Sequence, residues 1–527
     1  MIDNVSPPEE SKRGRRWVRI ALFSLAGLIL GLIVVASVVI IRFQPMARNY
    51  FISRLEQRYD SDVQLGDLEI ALFPEVHATG DNLTLWFHGD HSKPPMIRLK
   101  HFQFDANLAG FFRSPKHLGR LILQGLYIRP PRREDSSDDT HESKKQSTEA
   151  FILDEVVADG TTLEITPKDP THDPLIFDIR NLTLHSVGRH QPMTYHAQLT
   201  NPKPPGLIHA DGMFGPWDPE APVNTPISGK YTFRDADLSV FKGISGILSS
   251  NGEYHGELDS IEVKGTTETP DFALKIGGHP IPLHTQFEAT VDGTNGNTVL
   301  HPVHARLGGS EFDVAGAIDR GSLETHKTIL LTAKVTPDEH ARVEDFLKLA
   351  LKSTSPPMTG GIHFDTRVKL PPGESEVITR LELDGTFGLD GVRFASPDVQ
   401  GKIAALSHRA QGEPDNHDPN VAADFHGTFH MGHERLSLPD LKFEVPGAHV
   451  DMAGGYQLRT GEIDFRGTAK LDAKVSQMTT GWKSKLLKLA DPWFSRDGAG
   501  TVLPIVISGT RGDPSFKLDM GRVLKRD

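Results

Sequence analysis

The chain has no cysteine in 527 residues. That excludes disulfide staples, cysteine-ligated zinc, iron–sulfur clusters and thiol catalysis. Nor is there a surplus of positive charge. The 57 lysines and arginines stand against 69 acids, a formal net charge of −12 that becomes more negative once the basic first nineteen residues are set aside. Such a balance does not neutralise phosphates, so no nucleic-acid partner is expected. The usual enzyme signatures are missing too: there is no HExxH, no G-x-S-x-G, no Walker A and no GxGxxG after a strand. We therefore expect neither catalysis nor a cofactor. No strict repeat period emerges, which leaves propellers and leucine-rich solenoids without support.

What the chain does have is one long apolar run, Ile20 to Ile41, free of charge and bracketed by Arg19 and Arg42. At about 1.5 Å per residue it reaches roughly 33 Å, enough to cross a hydrocarbon core of about 30 Å as one helix. Lys12, Arg13, Arg15, Arg16 and Arg19 crowd its amino-terminal side, whereas Arg42, Arg48, Arg54 and Arg58 are spread out beyond it. The positive-inside rule then makes residues 1–19 a cytoplasmic basic tail and residues 20–41 a single-pass anchor. A cleaved signal peptide would have a shorter apolar core and a small-x-small site before the hydrophobicity breaks. Phe43, Ala47, Phe51, Leu55 and Tyr59 recur every four residues, which predicts an amphipathic helix over 43–60. It is either a stalk packed on the first strands or an interfacial helix at the membrane surface.

From residue 61 to 129 the apolar period changes to two, as in Val63 and Leu65, or Leu68, Ile70 and Leu72. Leu121 and Leu123, then Leu126 and Ile128, repeat the alternation with a one-residue shift at Gln124-Gly125, as a bulge produces. Residues 130–150 hold nothing that can be buried and read as a disordered linker. Strand patterning returns over 151–335 and 358–527. It is cleanest where Leu441, Phe443, Val445, Val450, Met452, Ile463 and Phe465 alternate with charged residues such as Lys442, Glu444, Asp451 and Asp464. One apolar and one charged face is what an antiparallel sheet with one wet side requires.

Three helices interrupt the strands in this reading. One is short, with Leu238, Phe241, Ile244 and Leu248. A second spans 336–352 from a capping box at Thr336-Pro337-Asp338-Glu339, and a third carries Trp482, Leu486, Leu487 and Leu489. Of 25 histidines, His426, His430 and His433 with Glu434 form the tightest group. Strand spacing puts His433 past a turn from the other two, so the group reads as a solvated face rather than a metal site.

Two stretches carry a family resemblance. Val63 to Leu85, VQLGDLEIALFPEVHATGDNLTL, follows an anchor and an amphipathic stretch, and holds Leu65-Gly66, Leu72-Phe73-Pro74 and a Gly-x-x-Leu-x-Leu step from Gly80 to Leu85. Asp491 to Asp519 combines a Gly-rich turn, an apolar proline strand, an apolar-x-Gly-Thr step and a Pro-x-Phe strand. Together they resemble the two ends of the AsmA-like family of inner-membrane-anchored envelope proteins in Gram-negative bacteria, within the group of bridge-like lipid transfer proteins. The resemblance implies an elongated, mainly β, taco-like fold whose hydrophobic groove carries phospholipid acyl chains in the periplasm. It also implies a role in lipid transport or outer-membrane biogenesis.

On that reading Leu441, Phe443, Val445, Val450, Met452, Ile463 and Phe465 line the groove, and Phe43, Ala47, Phe51 and Leu55 form the membrane-interface helix. The alternative is that these side chains close a β-sandwich core, in a scaffold that binds envelope proteins without carrying lipid. Strands stacked at roughly 4.8 Å would reach about 140 Å at the very most. Crossing an envelope then needs self-association or an outer-membrane or envelope partner at the far end.

Overall fold

The computed structural model of the protein describes residues 45–46, 48–57, 61–71, 76–106, 116–129, 151–165, 175–188, 191–216, 224–275, 278–293, 296–319, 328–336, 340–351, 355–373, 375–479, 500–510 and 513–519. The tail, the apolar run 20–41, Phe43, Ala47, Phe73-Pro74, the 130–150 stretch and the expected helix at Trp482 to Leu489 lie outside them. Among the described residues the chain is mainly β, mostly antiparallel, with a few short helices. No described helix is long and apolar enough to cross a membrane. The chain divides into two compact units, residues 1–166 and 167–527.

The first unit contains β1 (Ser61–Gln64), β2 (Leu68–Ala71), β3 (Val76–Phe87), β4 (Ile97–Ala106), β5 (Lys116–His117), β6 (Arg120–Ile128) and β7 (Phe151–Ile165). β1 and β2 both pair with β3, β3 with β4 and β4 with β6, all antiparallel. β7 runs parallel to β6, and the polar stretch between them has the length a parallel crossover requires. The one-residue shift seen at Gly125 in the sequence belongs to a line of shifts across four strands. The apolar phase changes between Gly80 and Leu83 on β3, Leu99 and Phe102 on β4, Leu123 and Leu126 on β6, and Ala158 and Thr161 on β7. Asn82, Gly125 and Gly160, with φ of 54°, 65° and 63°, supply the left-handed backbone that turns a strand over without breaking its register.

The second unit is an antiparallel meander from Leu175–Gly188 to Asp513–Leu518, in which each long strand pairs with the next. The strands Arg435–Val445, Ala448–Gln457 and Glu462–Leu471 fall where the alternation put them. The expected helix at Leu238 to Leu248 is a single 3-10 turn, Leu238–Val240, followed by strands. Gly243 and Gly246, at φ 124° and 136°, hold backbone geometry that a helix does not contain. Of the expected helix over 336–352 the described residues form Val343–Ala350, with Arg342 at its N-cap, and Pro337-Asp338-Glu339 of the expected capping box lie outside them.

Two helices lie on this sheet. Phe346 of Val343–Ala350 stacks edge-on with Phe364 at 5.5 Å and meets Phe312 at 5.8 Å. Its buried Asp345 accepts hydrogen bonds from Ser310 Oγ (2.8 Å) and the Gly309 N–H (3.1 Å). The helix Pro397–Ala410 starts at an Ser396 N-cap with proline in its first turn. It covers a buried cluster that includes Ala404, Ala410, Phe443, Val445, Val450 and Leu471.

Candidate functional site

In the second unit the apolar face can be followed strand by strand through the register. Leu184, Tyr195, Gly212, Gly229, Tyr254, Val263, Ala289, Leu300 and Gly316 face one another in turn. The same row goes on through Leu331, Val368, Leu383, Met431, Leu436, Tyr456, Ile463 and Gly509. Every position is apolar, glycine or tyrosine, and none is charged. At about 4.8 Å per strand the row is roughly 75 Å long, measured along the sheet.

A second row lies two residues away on the same face: Met193, Phe214, Ile227, Gly256, Ile261, Val291, Thr298, Ile318, Ile329 and Leu370. On the other side of the first row, Leu182, Ala197, Ala210, Tyr231, Gly252, Gly265 and Phe287 form a third. A closed sandwich core would bury these side chains. Instead the first row is half-buried along almost its whole length; only Ala289 and Met431 are buried. The face between the helices is partly open to water.

Between Met193 and Val291 the face carries Gly212, Gly229, Gly252, Gly256 and Gly265. Tyr195 and Tyr254 stand on strands separated by two others, and their hydroxyls hydrogen-bond to each other across Gly212 and Gly229. A β-carbon on Gly229 would sit 2.5 Å from the Tyr254 hydroxyl. One row over, Tyr231 lies across Gly252, where a β-carbon would be 2.9 Å from its ring, and its hydroxyl meets Ser250 Oγ at 3.1 Å. Burial pushes the phenols of Tyr195, Tyr231 and Tyr254 above their usual range; for Tyr195 the Tyr254 hydrogen bond pushes the same way. The rings thus pave the floor instead of standing up from it.

The structure separates the seven residues expected to line a groove. Phe443, Val445 and Val450 sit in the closed cluster under Pro397–Ala410, and Leu441 is buried beside them. Met452 packs against that cluster; Ile463 belongs to the open row, and Phe465 is half-buried next to it. Sequence alternation could not tell covered from open positions, because the covering helix was itself missed. Its start was marked by Ser396-Pro397-Asp398.

A second apolar concavity, of about 780 Å³, lies wholly in the first unit. Met46, Tyr50 and Phe51 of the helix at residues 45–46 and 48–57 form one wall, and Leu68, Ile70, Ala78, Leu83, Leu99, Phe102, Phe104, Leu118, Leu121, Leu123 and Leu153 form the rest. Met46 and Tyr50 are exposed at 72% and 61%, so the concavity opens beside them. Arg48 donates to the Leu65 and Gly66 carbonyls and ties the helix to the sheet. Leu55 packs on the buried cluster of Val63, Leu65, Leu83 and Leu85. Of the four residues expected at a membrane interface, Phe51 faces the concavity and Leu55 the core.

The other face of the second unit is polar. His196, Asp211, Lys230, Glu253, Lys264 and Glu288 succeed one another across neighbouring strands with alternating charge. The His426, His430 and His433 group does not converge: His430 Nδ1 meets Asp384 at 2.6 Å, while Glu434 is held by Arg459. Among the described residues no three His, Asp or Glu side chains come together as a metal ion needs. Comparison with protein-family models, with curated proteins and with solved structures gave no match.

Proposed function

We propose that this is a membrane-anchored, non-catalytic lipid carrier of AsmA type, in which acyl chains lie along the open apolar face while headgroups stay in water. The observation that carries this reading is the uninterrupted uncharged row from Leu184 to Gly509, half-buried where a closed core would be buried. A row without hydrogen-bonding requirements lets a chain slide, because burial of apolar area is non-directional. The apolar concavity beside Met46 and Tyr50 follows the 20–41 run closely in sequence, and is the natural place for a lipid to enter from the bilayer surface. With that run as an inner-membrane anchor, the β units are periplasmic and the function is phospholipid transport or outer-membrane biogenesis.

Mass spectrometry of lipids co-purified with the full chain tests this directly. Phospholipid should be retained by the native chain and lost from a folded triple variant, Leu331→Asp, Leu383→Asp and Leu436→Asp. A native chain that carries no lipid, or a folded variant that keeps it, would reject the lipid carrier in favour of a scaffold that binds envelope proteins.

A further inference from the structure

Histidine is abundant in this chain, at 25 residues, and on the polar face it recurs in one arrangement. Glu155, Arg120, Asp105 and His77 face one another across β7, β6, β4 and β3. Glu253, Lys230, Asp211 and His196 repeat the order in the second unit, and so do Asp365, Lys334, Asp313 and His304. Cation–acid contacts follow the register in the first and third rows, and histidine–acid contacts in all three. Arg120 Nε lies 2.7 Å from Glu155, Lys334 Nζ 3.9 Å from Asp365, and His304 Nδ1 2.6 Å from Asp313. His77 and His196 hydrogen-bond to Asp105 and Asp211.

Each row reads acid, cation, acid, histidine, and the second goes on from Glu253 through Lys264 and Glu288. With a neutral imidazole each row holds one more negative charge than positive; with a protonated imidazole it is balanced. We propose that these rows are a pH-responsive brace, in which histidine protonation closes the charge deficit and holds the flanking strands more tightly in mildly acid than in alkaline solution. Histidine is the side chain whose unperturbed charge change falls between about pH 5 and 8. Stabilisation from the fourth position needs the charged imidazole, so it belongs to the acid side and not to the alkaline side.

The local surroundings are compatible with this sign. Across from their acid partners, His77, His196 and His304 face the uncharged Ala71, Thr183 and Gln286. The remaining titratable or charged neighbours are Glu69 beside His77, His185 and His209 beside His196, and His284, Glu288, His301, Arg306 and Glu311 beside His304. Burial raises the Asp105 carboxyl, but hydrogen bonds from His77 and Gln103 outweigh it and hold it below the usual carboxylate range. A fourth row provides an internal comparison. Thr332, Arg367, Asp384 and His430 have the same order with threonine in place of the outer acid. There Arg367 already matches Asp384, and protonating His430 fills no deficit.

The inference does not rest on lipid carriage, and its test does not involve lipid. Hydrogen–deuterium exchange of the full chain at about pH 6 and about pH 8, corrected for the intrinsic rate, reports opening of individual strands. In low salt, Val76–Phe87, Met193–Pro202 and Thr298–Leu307 should be about two- to fivefold better protected at the lower pH, the size expected of exposed pairs. Thr501–Thr510, which has no histidine, should not differ. The difference should disappear in about 1 M salt, which shortens the screening length to about 3 Å. In a His77→Gln, His196→Gln, His304→Gln variant it should disappear from Met193–Pro202 and Thr298–Leu307 and shrink in Val76–Phe87, where Asp81 keeps its 2.8 Å contact with His101, while His430→Gln leaves the native response in those strands. Equal protection at both pH values, a difference that survives high salt, or one retained in Met193–Pro202 or Thr298–Leu307 by the folded triple variant would each overturn the proposal. If the variant does not fold, the salt arm on the native chain decides alone.

Discussion

Phe102 lays its ring over the α-carbon of Gly80, its register partner on the neighbouring strand, so closely that a β-carbon on residue 80 would sit 2.4 Å from two ring atoms. Phe51 of the preceding helix stacks on the same ring at 6.1 Å. Gly80→Ala should therefore push Phe102 out of place and unseat the helix. Overpacking of this kind costs about 1–3 kcal/mol. Thermal unfolding should show the loss, and limited proteolysis should cut faster at Arg48 and Arg54, which that helix carries. Unchanged cleavage would mean that Arg48 and Leu55 hold the helix without the Phe51–Phe102 stack.

The covered and open parts of the apolar face should respond differently to truncation. Phe443 is 6% exposed, and its ring lies 4.9 Å from that of Phe425 in the cluster under Pro397–Ala410. Phe443→Ala should cost about 3–5 kcal/mol through the cavity it leaves. Leu383 is half-buried in the open row, so Leu383→Ala removes less buried area, about 1 kcal/mol. Denaturant unfolding of the two variants side by side measures the contrast. Similar losses would mean that the open row is packed as tightly as the core.

That contrast also marks how far the sequence could be read. The strict alternation around Leu441 to Ala473 located strands and turns correctly, because each side chain there meets either the apolar or the wet side of one sheet. The face shift at Gly125 was visible for the same reason, though its extension to Asn82 and Gly160 needed the register. Covered and open apolar positions have the same periodicity, and only the helix Pro397–Ala410, whose Ser396-Pro397 start was passed over, tells Phe443 from Ile463. The rows themselves were illegible. Leu184 and Gly509 become one feature only when the pairing of all intervening strands is known.

Glu434 gives a pH-dependent handle on the polar face. It sits in a tight turn at φ 62°, accepts from Arg459 Nε at 2.7 Å and from Thr379 Oγ1 at 2.9 Å, and these hydrogen bonds bring its carboxyl down to about 2. A depressed carboxylate contributes stability that is complete above its unfolded value, about 4.3, and is lost as pH falls through the folded one. Carboxyl-carbon NMR should thus find Glu434 still ionised at about pH 3, where an ordinary glutamate is protonated. In Glu434→Gln the part of the acid unfolding profile between about pH 4 and 2 should flatten. A Glu434 resonance that titrates with the other glutamates would refute the contact.

The paved floor makes the last prediction. The Tyr195 and Tyr254 hydroxyls meet over Gly212 and Gly229, and a β-carbon on Gly229 would fall 2.8 Å from the phenol carbon of Tyr254. Gly229→Ala should lift the Tyr254 ring off the sheet, break the hydroxyl pair, press on the Asp211 carbonyl oxygen 2.4 Å away on the neighbouring strand and raise an obstacle in the middle of the open row. Two readouts separate these effects. Phenolate absorbance should show Tyr254 ionising closer to the ordinary tyrosine range of about 10, because burial is what pushes it up and the lifted ring meets water. If acyl chains occupy this face, the same variant should hold less lipid while keeping its strands, as read by far-ultraviolet circular dichroism. A normal lipid load together with a shifted phenol would place the bound chains elsewhere on the face. A phenol that does not move would mean that the floor takes up the extra methyl group by a backbone shift.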